Sequence, residues 1–257
     1  MKLFGRTQSL SQYPILDCLD VIKRLGFDGA EICLENDDIA PDRLSPQRVA
    51  AVRERATALF GAYSISYHKD YIYDDALFEW TKQAIALTPD FGTDIFVFGG
   101  RPKRDGDEAE WQSMIERTRD LVAVAEQHGV ILAQEFEPGF IIGSTADLLR
   151  FFVDIPSPNL AANLDLGHAF LCDPDPIAAI HQIGTKIVHC HVENMATGVH
   201  EHLLPHEGDM DLAAYLRALV SVGFEGGLAL DLYKHDYEAV AGEALSYLRW
   251  LLYSSVG

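Results

Sequence analysis

Apolar runs of five to eight residues alternate with longer amphipathic stretches along the whole chain, and a Gly or Pro stands near most junctions. The runs "KLFG", "GAEICLE", "GAYSISYH", "DIFVFGG", "VILAQEFE", "LAANLDLGH", "KIVHCHVE" and "GLALDLY" read as eight buried strands. The stretches between them read as helices. "PILDCLDVIKRLGF" carries Ile15, Leu19, Ile22 and Leu25 on one stripe closed by Gly26, and "SPQRVAAVRERATALF" has Ser45 as N-cap and Pro46 at its first helical position. "DDALFEWTKQAIALTP", "DEAEWQSMIERTRDLVAVAEQHG", "STADLLRFFVDI", "DPIAAIHQIG", "DLAAYLRALVSVGF" and a C-terminal helix from Tyr237 complete the alternation.

Helical connections between successive strands demand parallel, right-handed crossovers, and eight such units close most economically into a barrel. The expectation is an α/β protein, a (β/α)8 TIM barrel in one domain over residues 1–257. An open doubly wound sheet is the alternative. It is disfavoured because no GxGxxG or GxxxxGK[ST] turn follows the first strand, and because polar residues gather at several strand ends rather than at one crevice.

The composition, 48% hydrophobic with 23% charged residues, is that of a soluble globular chain able to bury a large core. Thirty-nine acidic against 20 basic residues give a net charge of −19, which opposes association with phosphate backbones and anionic lipid, so neither nucleic acid nor membrane is expected as a partner. No apolar run approaches the roughly 18 residues of a membrane span, and "MKLFGRTQSLSQYP" lacks a signal core, so a cytoplasmic protein is expected. Cys18, Cys33, Cys172 and Cys190 form no CxxC pair and read as reduced packing residues. Trp80, Trp111 and Trp250 fall in helices, where they pack or mark the surface of a homo-oligomer; the run "DGDEAE" reads as a solvated helix entry.

The active face of such a barrel is built where its strands end. Glu135, Asp165, His191 and Asp231 lie near the ends of the fifth to eighth predicted strands, each two residues after a small or polar residue of the same parity: Ala133, Asn163, His189 and Ala229. Three carboxylates and an imidazole buried together would repel and be costly without a compensating cation. One bound divalent metal resolves that cost, and the oxygen-rich donor set favours Mn2+, Mg2+ or Co2+ over a thiolate-type zinc site.

The segments "LAQEFEPG", "NLDLGHA", "IVHCHVEN", "VHEHLLPHEGDMDL" and "GGLALDLY" resemble the xylose-isomerase-like barrel superfamily of sugar-phosphate isomerases and epimerases, and the resemblance runs from about residue 25 to 235. Relatives among the ketose 3-epimerases bind one divalent metal through Glu, Asp, His and Glu at the ends of strands five to eight. The resemblance therefore implies Glu135, Asp165, His191 and Asp231 as ligands of one metal, Mn2+ first, with Mg2+, Co2+ or Zn2+ as alternatives. It implies a small sugar or polyol substrate, and Glu135 and Asp231 as the catalytic pair that moves a proton next to a carbonyl through an enediolate. His68, His168 and His202 would contact substrate. Two positions depart from the family: Asp231 stands where a Glu is usual, and His206 where a Gly is frequent.

Each of these residues also has a structural reading. Asp165 could cap a helix, Glu135 could close a salt bridge at the barrel mouth, Asp231 could be structural, and His68, His168 and His191 could bond backbone or core groups, as His189 is expected to do. Gly208 and Asp211 read as a turn and a helix N-cap, while the role of Glu193, inward by parity, stays open. Three other functions compete with an isomerase or epimerase: an inosose-type dehydratase, a non-catalytic sugar-binding subunit, and a multi-zinc nuclease resembling endonuclease IV. The last is suggested by His68, His168, His191, His200 and His202, but the fourth strand ends in "FGG" without a histidine to complete such a cluster.

Overall fold

The computed structural model describes residues 1–232 and 234–256. Eight parallel strands, β1 (Lys2–Arg6), β2 (Gly29–Cys33), β3 (Tyr63–Ser66), β4 (Ile95–Gly99), β5 (Ile131–Glu135), β6 (Leu160–Asp165), β7 (Ile187–Val192) and β8 (Gly227–Leu230), pair in sequence order and close on themselves. Closure joins β8 to β1 through Lys2 opposite Gly227 and Gly5 opposite Leu230. The (β/α)8 barrel read from the sequence is the fold observed.

Helices α1 (Ile15–Leu25), α2 (Pro46–Leu59), α3 (Asp75–Phe91), α4 (Glu108–His128), α5 (Thr145–Asp154), α6 (Leu166–Cys172), α7 (Pro176–Ile183), α8 (Leu212–Ser221) and α9 (Tyr237–Val256) complete the chain. Their ends follow the sequence signals. Ser45 accepts from Arg48 N, Asp211 from Ala214 N, and Gly26 ends α1 in the left-handed conformation. The sequence reading missed α6. The sixth strand, expected to run through "LAANLDLGH" to His168, ends at Asp165 instead, and the chain turns helical at once, the Asp165 side chain accepting from His168 N at 2.8 Å.

The outward parity of the strands carries Leu3, Ile32, Ile65, Phe96, Phe98, Leu132, Leu164, Cys190, Leu228 and Leu230, all buried in the layer between sheet and helices. The inward parity is small and polar. Registers place Arg6 beside Glu31, Glu31 beside Ser64, Gly99 beside Glu135, and Asp165 beside His191. The lower end of the barrel is filled by Phe4: a Cβ on Gly29 would come within 2.2 Å of its ring, and one on Gly227 within 2.6 Å. The lipophilic core thus sits outside the barrel wall, and the barrel's upper interior is left to ionisable groups.

Trp111 is buried and its Nε1 donates to Asp154 at 2.7 Å, while Trp250 is exposed. The four cysteines are free thiols. Among the described residues no helix is long and apolar enough to cross a membrane.

Candidate active site

His191 lies at the centre of the inward groups. Its Nδ1 is 3.2 Å from Glu135 Oε2, 3.8 Å from Asp165 Oδ2 and 3.9 Å from Asp231 Oδ2. The four residues expected to hold a metal are therefore gathered around one nitrogen, all buried. Donor atoms around a six-coordinate divalent ion stand about 3 Å apart, and the three distances from Nδ1 lie within about 1 Å of that spacing. Asp231 Oδ1 has no hydrogen-bond donor among the described residues, and Asp165 Oδ2 meets at most the Glu193 carboxyl. Buried carboxylate oxygens left in this way are costly unless a cation takes them. The donor set fits a hard divalent metal.

On the far side of His191, its Nε2 bonds Glu31 Oε2 at 2.8 Å. Glu31 is fully buried on β2, and its other oxygen accepts from Arg6 Nε at 3.0 Å. Arg6, at the end of β1, also pairs through Nη1 with Asp231. A continuous ionic chain, Asp231, Arg6, Glu31, His191, Glu135, thus crosses the barrel. The sequence reading did not include Arg6 or Glu31. A Glu between Ala30 and Ile32 in an apolar strand was the available signal.

Burial penalises every charge in this chain, yet the pairing prevails. It would raise Glu31, but Arg6 and His191 hold its carboxyl well below the usual range. It would raise Glu135 too, and His191, His68 and His168 hold that carboxyl low. Burial and Arg6 work against charge on His191, while Glu135 and Glu31 keep its pKa well above the ordinary value. Glu193 behaves oppositely: burial, then repulsion from Asp165 and Asp231, pushes its carboxyl well above the normal range. Its Oε1 accepts from Gly167 N at 2.9 Å, an approach open only because Gly167 has no Cβ, which would fall 2.2 Å from that oxygen. Burial pushes Glu137, at the rim, up to about 7.

Asn163 orients Glu135 by donating Nδ2–H to its Oε2 at 2.8 Å, and is itself held through Oδ1 by His189 Nδ1 at 2.8 Å. Burial lowers His189 to about 4, so it is a neutral, satisfied core histidine, as expected. Above these groups opens a cleft of about 170 Å3 lined by Arg6, Gln8, Glu135, Glu137 and Asp231 together with His68, His168, His200 and His202. The three histidines expected to meet substrate therefore share one cleft. His68 Nδ1 lies 3.8 Å from Glu135, and its Nε2 has no hydrogen-bond partner among the described residues. His168 Nδ1 bonds the Phe136 carbonyl at 2.9 Å, and His202 Nδ1 the Asp231 carbonyl at 2.9 Å. His206 stands apart, 3.3 Å from Glu243.

The model of the family described as "Xylose isomerase-like TIM barrel" matches residues 19–251. The chain belongs to this family. The fructoselysine 3-epimerase of Escherichia coli O157:H7 is 26% identical over 149 residues, 55% of this chain and 54% of that protein. The 3-dehydroshikimate dehydratase of Pseudomonas putida is 25% identical over 252 residues, 91% of this chain but 39% of its own length. The chain thus spans about half or less of the length of these curated relatives. The solved structure of an L-ribulose 3-epimerase superposes with a TM-score of 0.83 at 20% identity, covering 99% of this chain and 95% of that one. At that identity the superposition speaks for the fold.

Proposed function

We propose that the protein is a divalent-metal-dependent sugar isomerase or epimerase, working by proton abstraction next to a carbonyl. The observation that carries this reading is the cluster of Glu135, Asp165 and Asp231 carboxylate oxygens within 3.9 Å of His191 Nδ1, at the floor of a polar cleft. The epimerase names of two similar proteins supply the substrate class, a ketose or related polyol.

Glu135, Asp165, His191 and Asp231 would hold the metal, with Mn2+ the first candidate, and the ion would polarise the substrate carbonyl and acidify the neighbouring C–H. Glu135 is held as a carboxylate and so can accept that proton. Asp231, entering from β8 across the cluster, is the second proton carrier; returning the proton to the opposite face of the same carbon gives epimerisation. Arg6 fixes the Asp231 carboxylate, and Asn163 fixes that of Glu135. His68, His168 and His202 orient substrate hydroxyls at the cleft wall.

Incubation of the Mn2+-loaded protein with a panel of ketoses and inososes in D2O tests the proposal. Deuterium should enter next to the carbonyl without loss of water, and Glu135→Gln should lower that rate by about 100- to 10,000-fold, the range of a general base. Full exchange in Glu135→Gln rejects its role. The dehydratase relative, which aligns with 91% of this chain, supports a second reading in which the same proton abstraction is followed by departure of a hydroxyl group as water. Dehydrated product from an inosose in the same panel favours it.

A further inference from the structure

Below the carboxylates a second line of polar groups crosses the barrel. Ser64 on β3 and His189 on β7 stand on opposite walls, four strands apart, and Ser64 Oγ meets His189 Nε2 at 3.1 Å. His189 Nδ1 reaches Asn163 Oδ1 on β6 at 2.8 Å, and Asn163 Nδ2 reaches Glu135 Oε2 on β5 at 2.8 Å. Ser64, His189 and Asn163 are all buried. The ladder between β6 and β7 is built for the middle contact: its register slips by one residue between Ala162, opposite Ile187, and Asn163, opposite His189. An unslipped ladder would set Asn163 against Val188, whose side chain has the other parity.

The hydrogens in this line have one consistent placement. A carboxylate accepts and cannot donate, so Asn163 turns its NH2 to Glu135 and its Oδ1 to His189, and Nδ1 of His189 carries the proton. With that proton on Nδ1, Nε2 keeps its lone pair and accepts from the Ser64 hydroxyl; Glu31 Oε2, at 3.7 Å, is beyond hydrogen-bond reach. Phe4 packs against the same ring edge to face, with the centroids 5.9 Å apart. Each donor thus fixes the next, from Ser64 through His189 and Asn163 to Glu135. At the end of the line Glu135 Oε2 is held 3.2 Å from His191 Nδ1, and Oε1 is left 3.4 Å from His168 Nδ1, on the side of the cleft wall.

We propose that Ser64 and His189 are positioning residues for Glu135: acting through Asn163, they set the rotation of its carboxylate so that Oε1 meets a substrate in the cleft. The proposal rests on the reading of Glu135 as the proton acceptor. Neither residue lines that cleft. Both border a separate cavity of about 350 Å3 at the opposite end of the barrel, among the strand beginnings Lys2, Tyr63, Ile95 and Gly227.

One test needs no turnover. Nitrogen NMR of Mg2+-loaded protein labelled in its histidine rings, with the His189 signals assigned by their loss in His189→Asn, should show hydrogen on Nδ1 and a bare, hydrogen-bonded Nε2. Ser64→Ala should shift the Nε2 signal. Hydrogen on Nε2 in the wild type overturns the proposal whatever the activity. The second test follows deuterium exchange into the ketose that the panel identifies. Ser64→Ala should lower kcat by about 10-fold with KM unchanged, as for an interaction realised in the transition state, and Ser64→Thr, whose hydroxyl remains and whose methyl has the lower cavity beside it, should restore it. His189→Leu should lose about 100-fold, and His189→Asn, which keeps an N–H near the place of Nδ1, should recover most of that loss. Circular dichroism checks folding, and Ser64→Ala, which removes one oxygen, carries the test where His189→Leu does not fold. An unchanged kcat in Ser64→Ala overturns the proposal, as does a loss that Ser64→Thr fails to restore or one confined to KM. A wild type that exchanges no ketose hydrogen refutes the proton-abstraction reading, and the tautomer of His189 then decides alone whether this line holds Asn163 toward Glu135.

Discussion

Glu31→Gln should weaken divalent-metal binding by about 10- to 100-fold, although under the proposed function Glu31 is not itself a ligand. Its two oxygens have different tasks: Oε1 accepts from Arg6 Nε at 3.0 Å, and Oε2 bonds His191 Nε2 at 2.8 Å. A glutamine preserves the volume but offers only one oxygen, and must aim its NH2 at one of two donors. If the NH2 meets Arg6, the guanidinium faces another donor in a buried site. If it meets His191, Nε2 becomes the acceptor and the proton moves to Nδ1, the nitrogen that faces Glu135, Asp165 and Asp231. Either outcome reduces the readiness of Nδ1 to bind a cation, by about 1.4 to 2.7 kcal/mol for the stated range. Calorimetric titration of Mn2+ into chelator-stripped wild type and variant measures the difference, with thermal melts by circular dichroism to confirm folding. Glu31→Asp, which keeps the charge, should fall between the two. A folded Glu31→Gln protein that binds Mn2+ as tightly as wild type refutes the assignment of Nδ1 as the metal-facing atom.

Two further outcomes follow from groups near and below the site. Glu137, raised by burial to about 7, keeps its proton in the folded state at pH values where the unfolded chain, near 4.5, has released it. Its contribution to stability therefore falls as pH rises from about 4.5 to 7, and Glu137→Gln should become relatively more stable than wild type over that window; partial exposure keeps the gain on the order of 1 to 2 kcal/mol. Urea unfolding at pH 5 and pH 8 checks this, and a difference independent of pH contradicts it. Gly29→Ala should destabilise the barrel by several kcal/mol, of the order of about 2 to 4, because its Cβ would lie 2.2 Å from Phe4 and 2.4 Å from the Ala62 carbonyl. Only the ring could yield, and an unchanged melting temperature would mean that the lower end of the barrel is looser than described.

The barrel was legible because strand and helix periods differ and because Ser45, Asp211 and Gly26 mark element ends by local chemistry. Parity along single strands was enough to group Glu135, Asp165, His191 and Asp231 on one face. Arg6 and Glu31 escaped because their meaning is non-local. Arg6 meets Glu31 only when β1 pairs with β2, and Asp231 only when the barrel closes and brings the first strand against the last. A strand-terminal arginine in the chain alone reads as a solvated end. Helix α6 escaped because seven residues following a strand carry too little periodicity to distinguish a helix from an extension. The two readings of Asp165, helix cap and inward acid, proved compatible: one oxygen caps His168 N while the other faces His191.

That division of labour at Asp165 makes α6 a lever hinged at the cluster. Any displacement of the carboxylate toward an incoming cation pulls on the first turn of α6, and the first turn carries His168 into the cleft. Under the proposed function, cation occupancy and the position of the cleft wall would be linked through this one side chain. Substitutions at 166–168 made to fit a different ligand would then shift the grip on the cation as well, so selectivity and cofactor affinity would not be separately adjustable on this side of the barrel.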